Sequence, residues 1–230
     1  TESDGFNRSS SISGFNAGLT FNYFMGKDEF KYGIEVLGFN TAFEYSNVLG
    51  TKYEQEENTT ELAGFLKYKK VWDKVVIEPG IRLNYYSSLS EFSIEPRFGI
   101  KYNINDKLRF KGAAGMYSQN LVAAASDRDV VNLFYGFLSG SDNLPKEFKG
   151  EEVTTRLQKA EHLIAGFEFD LPFHLTMNIE GYFKNFSQLE NLNRDKIYAD
   201  DAQHTSKPDI QKKDFIIEVG DAKGVDMTLK

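Results

Sequence analysis

Cysteine is absent from all 230 residues, so the chain has no disulfide framework, no thiolate chemistry and no zinc ribbon available to it. Histidine is nearly absent: His162, His174 and His204 stand far apart, without an HExxH motif or an i,i+4 pair, which argues against a zinc site. No apolar run approaches the ~18 residues of a spanning helix, an absence that says nothing against a barrel, whose strands have weak average hydropathy. A basic excess is missing too. The formal net charge is -7, which argues against a nucleic-acid partner. The opening TESDGFNRSS has no charged-then-apolar signal pattern, so any export signal is expected to have been removed or to lie outside this segment. GxGxxG and Walker patterns are missing, and Ser9, Ser10 and Ser11 form a polar leader rather than a nucleophile elbow. The carboxylate pairs Asp127/Asp129 and Asp200/Asp201 lack the glycine and the ligand spacing of a calcium loop and read as solvated charge. No catalytic constellation and no cofactor site emerges, and we expect a protein that is not an enzyme.

What the chain has is aromatic residues, 20 Phe and 12 Tyr, with 19 Gly, a mix that suits strands and their turns. The stretch FSIEPRFGIKYNI, residues 92–104, alternates without error. Phe92, Ile94, Pro96, Phe98, Ile100, Tyr102 and Ile104 fall on one face, and Ser93, Glu95, Arg97, Gly99, Lys101 and Asn103 on the other. Either a half-buried strand of a soluble sandwich or a barrel strand between lipid and water has this pattern. Along the whole chain the period-2 pattern predicts about nine strands and almost no helix. The alternation slips near Val36 and Leu37, which predicts a bulge, and a short helix is expected within LVAAASDRDVVNLFYGFL. Polar connections are expected at SNVLGTKYEQEENTT and from about Glu190 to Asp214.

Connection lengths separate the two readings. Every second connection is a tight turn, and the longer ones all fall at the opposite end, as in up-and-down outer-membrane barrels; a sandwich needs crossovers at both ends. Candidate strands of roughly 9 to 13 residues match the ~9–11 needed to cross the hydrocarbon layer and exceed the usual ~5–6 of soluble sheets. Aromatics near strand ends would form interfacial girdles: Tyr23, Phe24, Phe30, Tyr32, Trp72, Tyr102 and Phe173 at one end, and Tyr45, Tyr85, Tyr86, Phe92, Tyr182 and Phe183 at the other. Pro79 and Pro96 resist a continuous ladder, so each is expected at a bulge, a frayed end or an edge. The fold class is therefore an all-β, antiparallel, up-and-down transmembrane β-barrel with about nine strands in this chain. The alternative is a soluble or surface-anchored β-sandwich binding glycan or protein.

The segment EPRFGIKYNINDKLRFKGAAGMYSQNL, residues 95–121, resembles the middle of the barrel of a TonB-dependent outer-membrane receptor. The resemblance lies in the order Glu95-Pro96-Arg97, Asn105-Asp106-Lys107, then Gly115-Met116-Tyr117-Ser118-Gln119. LQKAEHLIAGFEFDL and LTMNIEGYFKNFSQLENL resemble the next hairpin through Lys159-Ala160-Glu161, Gly166 and the run Glu180 to Lys184. GDAKGVDMTLK, with Gly220, Ala222 and Gly224, resembles the strand after that. A complete receptor of this kind has about 22 strands around a plug, so the resemblance implies that residues 1–230 are a partial barrel domain with no plug in this chain. It implies an outer-membrane location in a Gram-negative bacterium and uptake of a scarce large nutrient energised through the TonB complex. The implied partners are membrane lipid, the plug of the same receptor, a surface lipoprotein and a small or oligomeric nutrient ligand. By analogy Tyr117, Gln119 and Asn120 at the outer end would bind ligand. Glu95, Arg97, Lys101, Arg109, Lys111 and Glu180 would face the lumen and contact the plug.

Overall fold

A computed structural model describes residues 8–46, 52–123, 137–139, 143–193 and 195–230. Six long strands come first: β1 (Arg8–Met25), β2 (Asp28–Ser46), β3 (Lys52–Val71), β4 (Val75–Tyr86), β5 (Glu91–Asn103) and β6 (Leu108–Gln119). The connection that follows carries four short strands, β7 (Leu121–Ala123), β8 (Phe137–Ser139), β9 (Glu147–Phe148) and β10 (Glu151–Glu152). Three more long strands complete the chain: β11 (Gln158–Asp170), β12 (Thr176–Leu192) and β13 (Phe215–Leu229). The nine long strands form one antiparallel sheet in chain order, with β6 beside β11, and β7 with β8 and β9 with β10 form separate two-stranded ribbons. The nine strands are the ones that the alternation predicts. Among the described residues no second large sheet packs against them, so the sandwich alternative fails.

Of four expectations about local structure, two fail, one lies mostly outside the described residues and one holds in part. The registers of β2 with β1 and with β3 run unbroken through Val36 and Leu37, so there is no bulge; the two residues are simply apolar on alternate faces. The polar run Lys52–Thr60 belongs to β3 and stays paired with β2, because main-chain pairing continues into water whatever the side chains are. The helix expected between residues 121 and 138 lies mostly outside the described residues, and the described ends pair as β7 and β8. Of the expected connection from Glu190 to Asp214, the first residues belong to β12, and a short helix α1 (Asp209–Lys212) lies within the remainder.

Sequence alternation separates two faces of opposite chemistry. Phe15, Leu19, Phe21, Leu62, Leu66, Leu83, Phe98, Tyr102, Leu163, Phe167, Val225 and Met227 share one face and are all exposed, Val225 at 72%. On the other face Thr41 is 1% exposed, Glu95 2% and Asn84 6%. This is the inverse of a water-soluble domain and the arrangement of a barrel wall. The sheet also curls. Phe43, near one edge, shares a buried cluster with Leu192, Phe215 and Ile217 at the other edge, together with Val122 and Leu144 from the long connection. The polar face is therefore the concave one, and the long connection folds over its outer end. Two girdle assignments need correction: Tyr86 is 2% exposed and Tyr182 shares its face of β12 with Glu180 and Lys184, so both belong to the concave face.

Glycines on this face make room for aromatic rings. A Cβ on Gly33 would lie 2.8 Å from the Phe65 ring and one on Gly224 would lie 2.6 Å from the Tyr182 hydroxyl, so each ring lies across the neighbouring strand and fixes its register. Both prolines sit where a ladder lapses. The β5–β6 ladder stops at Arg97, one residue past Pro96, while β4–β5 continues unbroken. The β3–β4 ladder has no pairs between Lys67↔Gly80 and Lys70↔Ile77, the gap that accommodates Pro79.

An arginine on the exposed apolar face meets hydrocarbon. Phe98→Arg is expected to destabilise the intact protein folded in lipid vesicles by about 2–4 kcal/mol in urea titration if the site is near mid-bilayer. Phe98→Leu should change it little.

Candidate functional site: the polar concave wall

Register places Glu95, Arg97, Lys101, Arg109, Lys111 and Glu180 on the same concave face, as the alternation requires. They form two groups, not one. The outer group centres on Glu95. Its Oε1 accepts hydrogen bonds from Asn84 Nδ2, the Ser118 backbone N–H and Ser118 Oγ, each at 2.8 Å, and its Oε2 accepts one from Arg97 Nη2 at 2.7 Å. Because the β5–β6 ladder has ended at Arg97, a side-chain carboxylate takes the Ser118 N–H that a strand carbonyl would otherwise satisfy. Arg82 extends the network, donating from Nε to Asn84 Oδ1 at 2.8 Å and from Nη1 to Glu35 at 2.7 Å. Tyr86 closes it through the Ser118 hydroxyl at 2.9 Å. Every oxygen of this buried carboxylate is paired, which is the condition under which a buried charge is tolerated.

Tyr117 joins this group. The Arg97 guanidinium lies 4.6 Å from its ring centroid, and the ring lies 4.5 Å from that of His162, a cation–π and stacking arrangement. The other two residues expected to bind ligand diverge. Gln119 is exposed, with its amide turned to the Leu121 carbonyl, and Asn120, just past β6, is only 2% exposed. His162 is half-buried between Tyr117 and Phe186.

The inner group sits near the tight turns. Arg109 donates from Nε to Glu168 at 2.6 Å and also pairs with Asp170, and Lys111 pairs with the same Glu168. Lys101 stands opposite Lys111, and Glu180 accepts from Asn178 Nδ2 at 2.6 Å. Sequence reading passed over Asn84 and Ser118 as members of the outer group. Asn84 was legible, since it follows Glu78 and Arg82 on the alternating polar face of β4. Ser118 was not, because its role depends on where the neighbouring ladder ends.

At the outer rim the two long connections are tied together. Lys213 Nζ donates to Asp200 at 2.7 Å and to Asn143 Oδ1 at 2.9 Å, and Asn143 Nδ2 donates to Asp214 at 2.8 Å. The Lys213 hydrogen bond holds the Asp200 carboxyl below its ordinary value of 3.8. Asp201 caps the turn at His204. Both carboxylates are thus occupied by the protein's own donors; Asp127 and Asp129 lie outside the described residues.

A curled antiparallel sheet with an apolar outer face, a charged inner face, tight turns at one end and folded connections at the other leaves one architecture. This chain has the fold of an outer-membrane β-barrel segment. No family model matches the barrel segment, and no curated protein matches it in sequence. Solved structures match it in fold. The outer membrane transporter YddB from Escherichia coli is 15% identical, with a TM-score of 0.51, over 97% of this chain and 30% of that one. A variant of the ferric enterobactin receptor PfeA from Pseudomonas aeruginosa is 11% identical, with a TM-score of 0.61, over 96% of this chain and 33% of that one. The RagAB peptide importer is 10% identical, with a TM-score of 0.56, over 97% of this chain and 28% of that one. The barrel segment thus spans about a third or less of each, and at these identities the likeness is one of fold.

Glu95→Ala leaves the Ser118 N–H and the Asn84 amide without an acceptor and should lower stability to urea by about 2–3 kcal/mol, whereas Glu95→Gln, which keeps one oxygen, should lose about half as much. The Asp200 carboxyl, lowered in the folded state, contributes stability that is present above pH ~3.8 and is lost as pH falls through its folded value. Pepsin cleavage between residues 193 and 214, measured relative to cleavage of an unfolded substrate at the same pH, should therefore rise as pH falls below ~3.8, and Lys213→Ala should weaken that relative pH dependence.

Proposed function

We propose that this chain is an interior segment of the barrel of a TonB-dependent receptor in the outer membrane of a Gram-negative bacterium, which takes up a scarce large nutrient. The observation that carries the reading is the inversion of the sheet: apolar side chains exposed outside, paired charges inside, and long connections folded over one end only. Fold neighbours described as an outer-membrane transporter, siderophore receptors and a peptide importer support it. In this reading the plug is a further domain of the same receptor and meets the wall at Glu95, Arg97, Lys101, Arg109, Lys111 and Glu180. Ion pairs on that wall, exchangeable because both signs stand close together, would hold the plug until TonB pulls on it. Ligand would be captured at the outer end near Tyr117, Gln119 and Asn120 and by the connections 120–159 and 190–214, with a surface lipoprotein as a further partner. The ligand is an iron chelate, a vitamin, a glycan or a peptide, and the chain is not an enzyme.

Deleting the whole gene should abolish growth on one of these nutrients as sole limiting source, and inactivating TonB should reproduce the defect. Fractionation should place the intact protein with outer-membrane porins. Recovery in the soluble fraction would overturn the reading.

A further inference from the structure

The strand registers place one basic row on the concave wall. Followed across all nine strands, hydrogen-bonded partner to partner, a single row reads Asn22, Lys31, Lys67, Gly80, Arg97, Gly115, His162, Lys184, Ala222. Four positions are Lys or Arg, a fifth is His, three are Gly or Ala, and none is acidic. Lys31 stands directly opposite Lys67, a like-charge pairing that works against the ladder; Glu78 offsets Lys67, and no described carboxylate offsets Lys31.

We propose that this row is an anion path: a succession of single cationic sites along which a solute bearing carboxylate or phosphate groups moves through the barrel. The inference rests on the uptake reading above and adds the charge class of what is taken up. Three features of the row favour a mobile solute. The first is its slope. Lys31 lies three residues from the inner end of β2 at Asp28, Lys67 four from the end of β3 at Val71, Arg97 six from the end of β5 at Asn103, and His162 and Lys184 eight from the inner ends of β11 and β12 at Asp170 and Thr176. At ~3.3 Å per residue the row climbs roughly 16 Å along the strands. From Lys31 to Lys184 it also crosses six strand spacings of ~4.8 Å, roughly 29 Å of wall. Such a ramp joins the inner rim to the upper wall, whereas a fixed site would gather its cations in one place.

The second feature is how loosely the cations are held. Lys67 pairs with Glu78 at 2.8 Å and Arg97 with Glu95 at 2.7 Å, and both basic groups remain substantially exposed. Lys184 lies over the Tyr182 ring, 5.4 Å from its centroid, with no carboxylate in ion-pair range among the described residues, and Lys31 has none either. Sites that bind without holding are what conduction along a wall requires. The third is space. Gly80 and Gly115 stand between basic residues and keep the surface there low, Ala222 ends the row, and Tyr117 lies flat across Gly115, where a Cβ would be 3.0 Å from its hydroxyl.

The test uses the intact protein in detergent on a cysteine-free background, with Ala222→Cys carrying an environment-sensitive dye, titrated with inorganic tripolyphosphate. We expect a saturable dye response whose midpoint rises at least fivefold in the Lys31→Gln/Lys184→Gln double variant and with added salt. Lys223→Gln, which alters a neighbour on the opposite face, should leave it unchanged. An equal midpoint in the double variant, or a dye that is already buried and unresponsive because an acidic protein surface covers the row, would overturn the proposal. Failure of the uptake reading itself is seen separately: a dye at Val225→Cys, on the apolar face, is quenched by brominated lipid if the barrel spans the membrane, whatever happens along the row.

Discussion

Hydrocarbon offers no hydrogen bonds, so a strand that crosses it must find partners for its main-chain groups in its neighbours, and that constraint governs this molecule. It explains why none of the nine long strands is shorter than 12 residues, and why they pair in chain order with tight turns at one end. It also explains why the apolar residues point outward. In water these same side chains would be driven together; here lipid is as good a solvent for them as each other. The polar groups gather on the concave face because it is the only place where charges can satisfy one another.

Burying charge in this way imposes its own conditions. Glu95 is tolerated because four donors converge on it, and one of these is a backbone N–H released where the β5–β6 ladder ends. Pro96 is thus tied to the network: the ladder lapses beside it, and the adjacent carboxylate takes over the orphaned donor. The inner group, Arg109 and Lys111 with Glu168 and Asp170, balances its charges within adjacent strands. The basic row passes through the outer group at Arg97 and runs on to either side, where Lys31 and Lys184 have no carboxylate in ion-pair range among the described residues. The wall therefore combines self-satisfied clusters with a stretch that looks for an external anion.

The outer end follows a different logic. There Phe43, Val122, Leu144, Leu192, Phe215 and Ile217 form an ordinary buried apolar cluster, since above the bilayer the surroundings are water again. The long connection after β6 supplies Val122 and Leu144, and the Lys213–Asn143–Asp214 contacts tie it to the connection before β13. Packing at this end fastens the two margins of the sheet, so the curl is maintained by the connections as well as by strand twist.

Alternation along FSIEPRFGIKYNI and its counterparts determined the nine strands, their two faces and the parity of the turns, because side-chain direction in a strand is a local property with a period of two. The same rule put Glu95, Arg97, Lys101, Arg109, Lys111 and Glu180 on one wall. It could not say that Lys52–Thr60 extends β3, that Val36 and Leu37 need no bulge, or that Ser118 meets Glu95, since these depend on how far the neighbouring strand continues. Nor could it align Lys31, Lys67, Arg97, His162 and Lys184, which are scattered through 154 positions of sequence. Only the inter-strand registers bring them into one row, because register is fixed by pairing between distant segments and not by any segment alone.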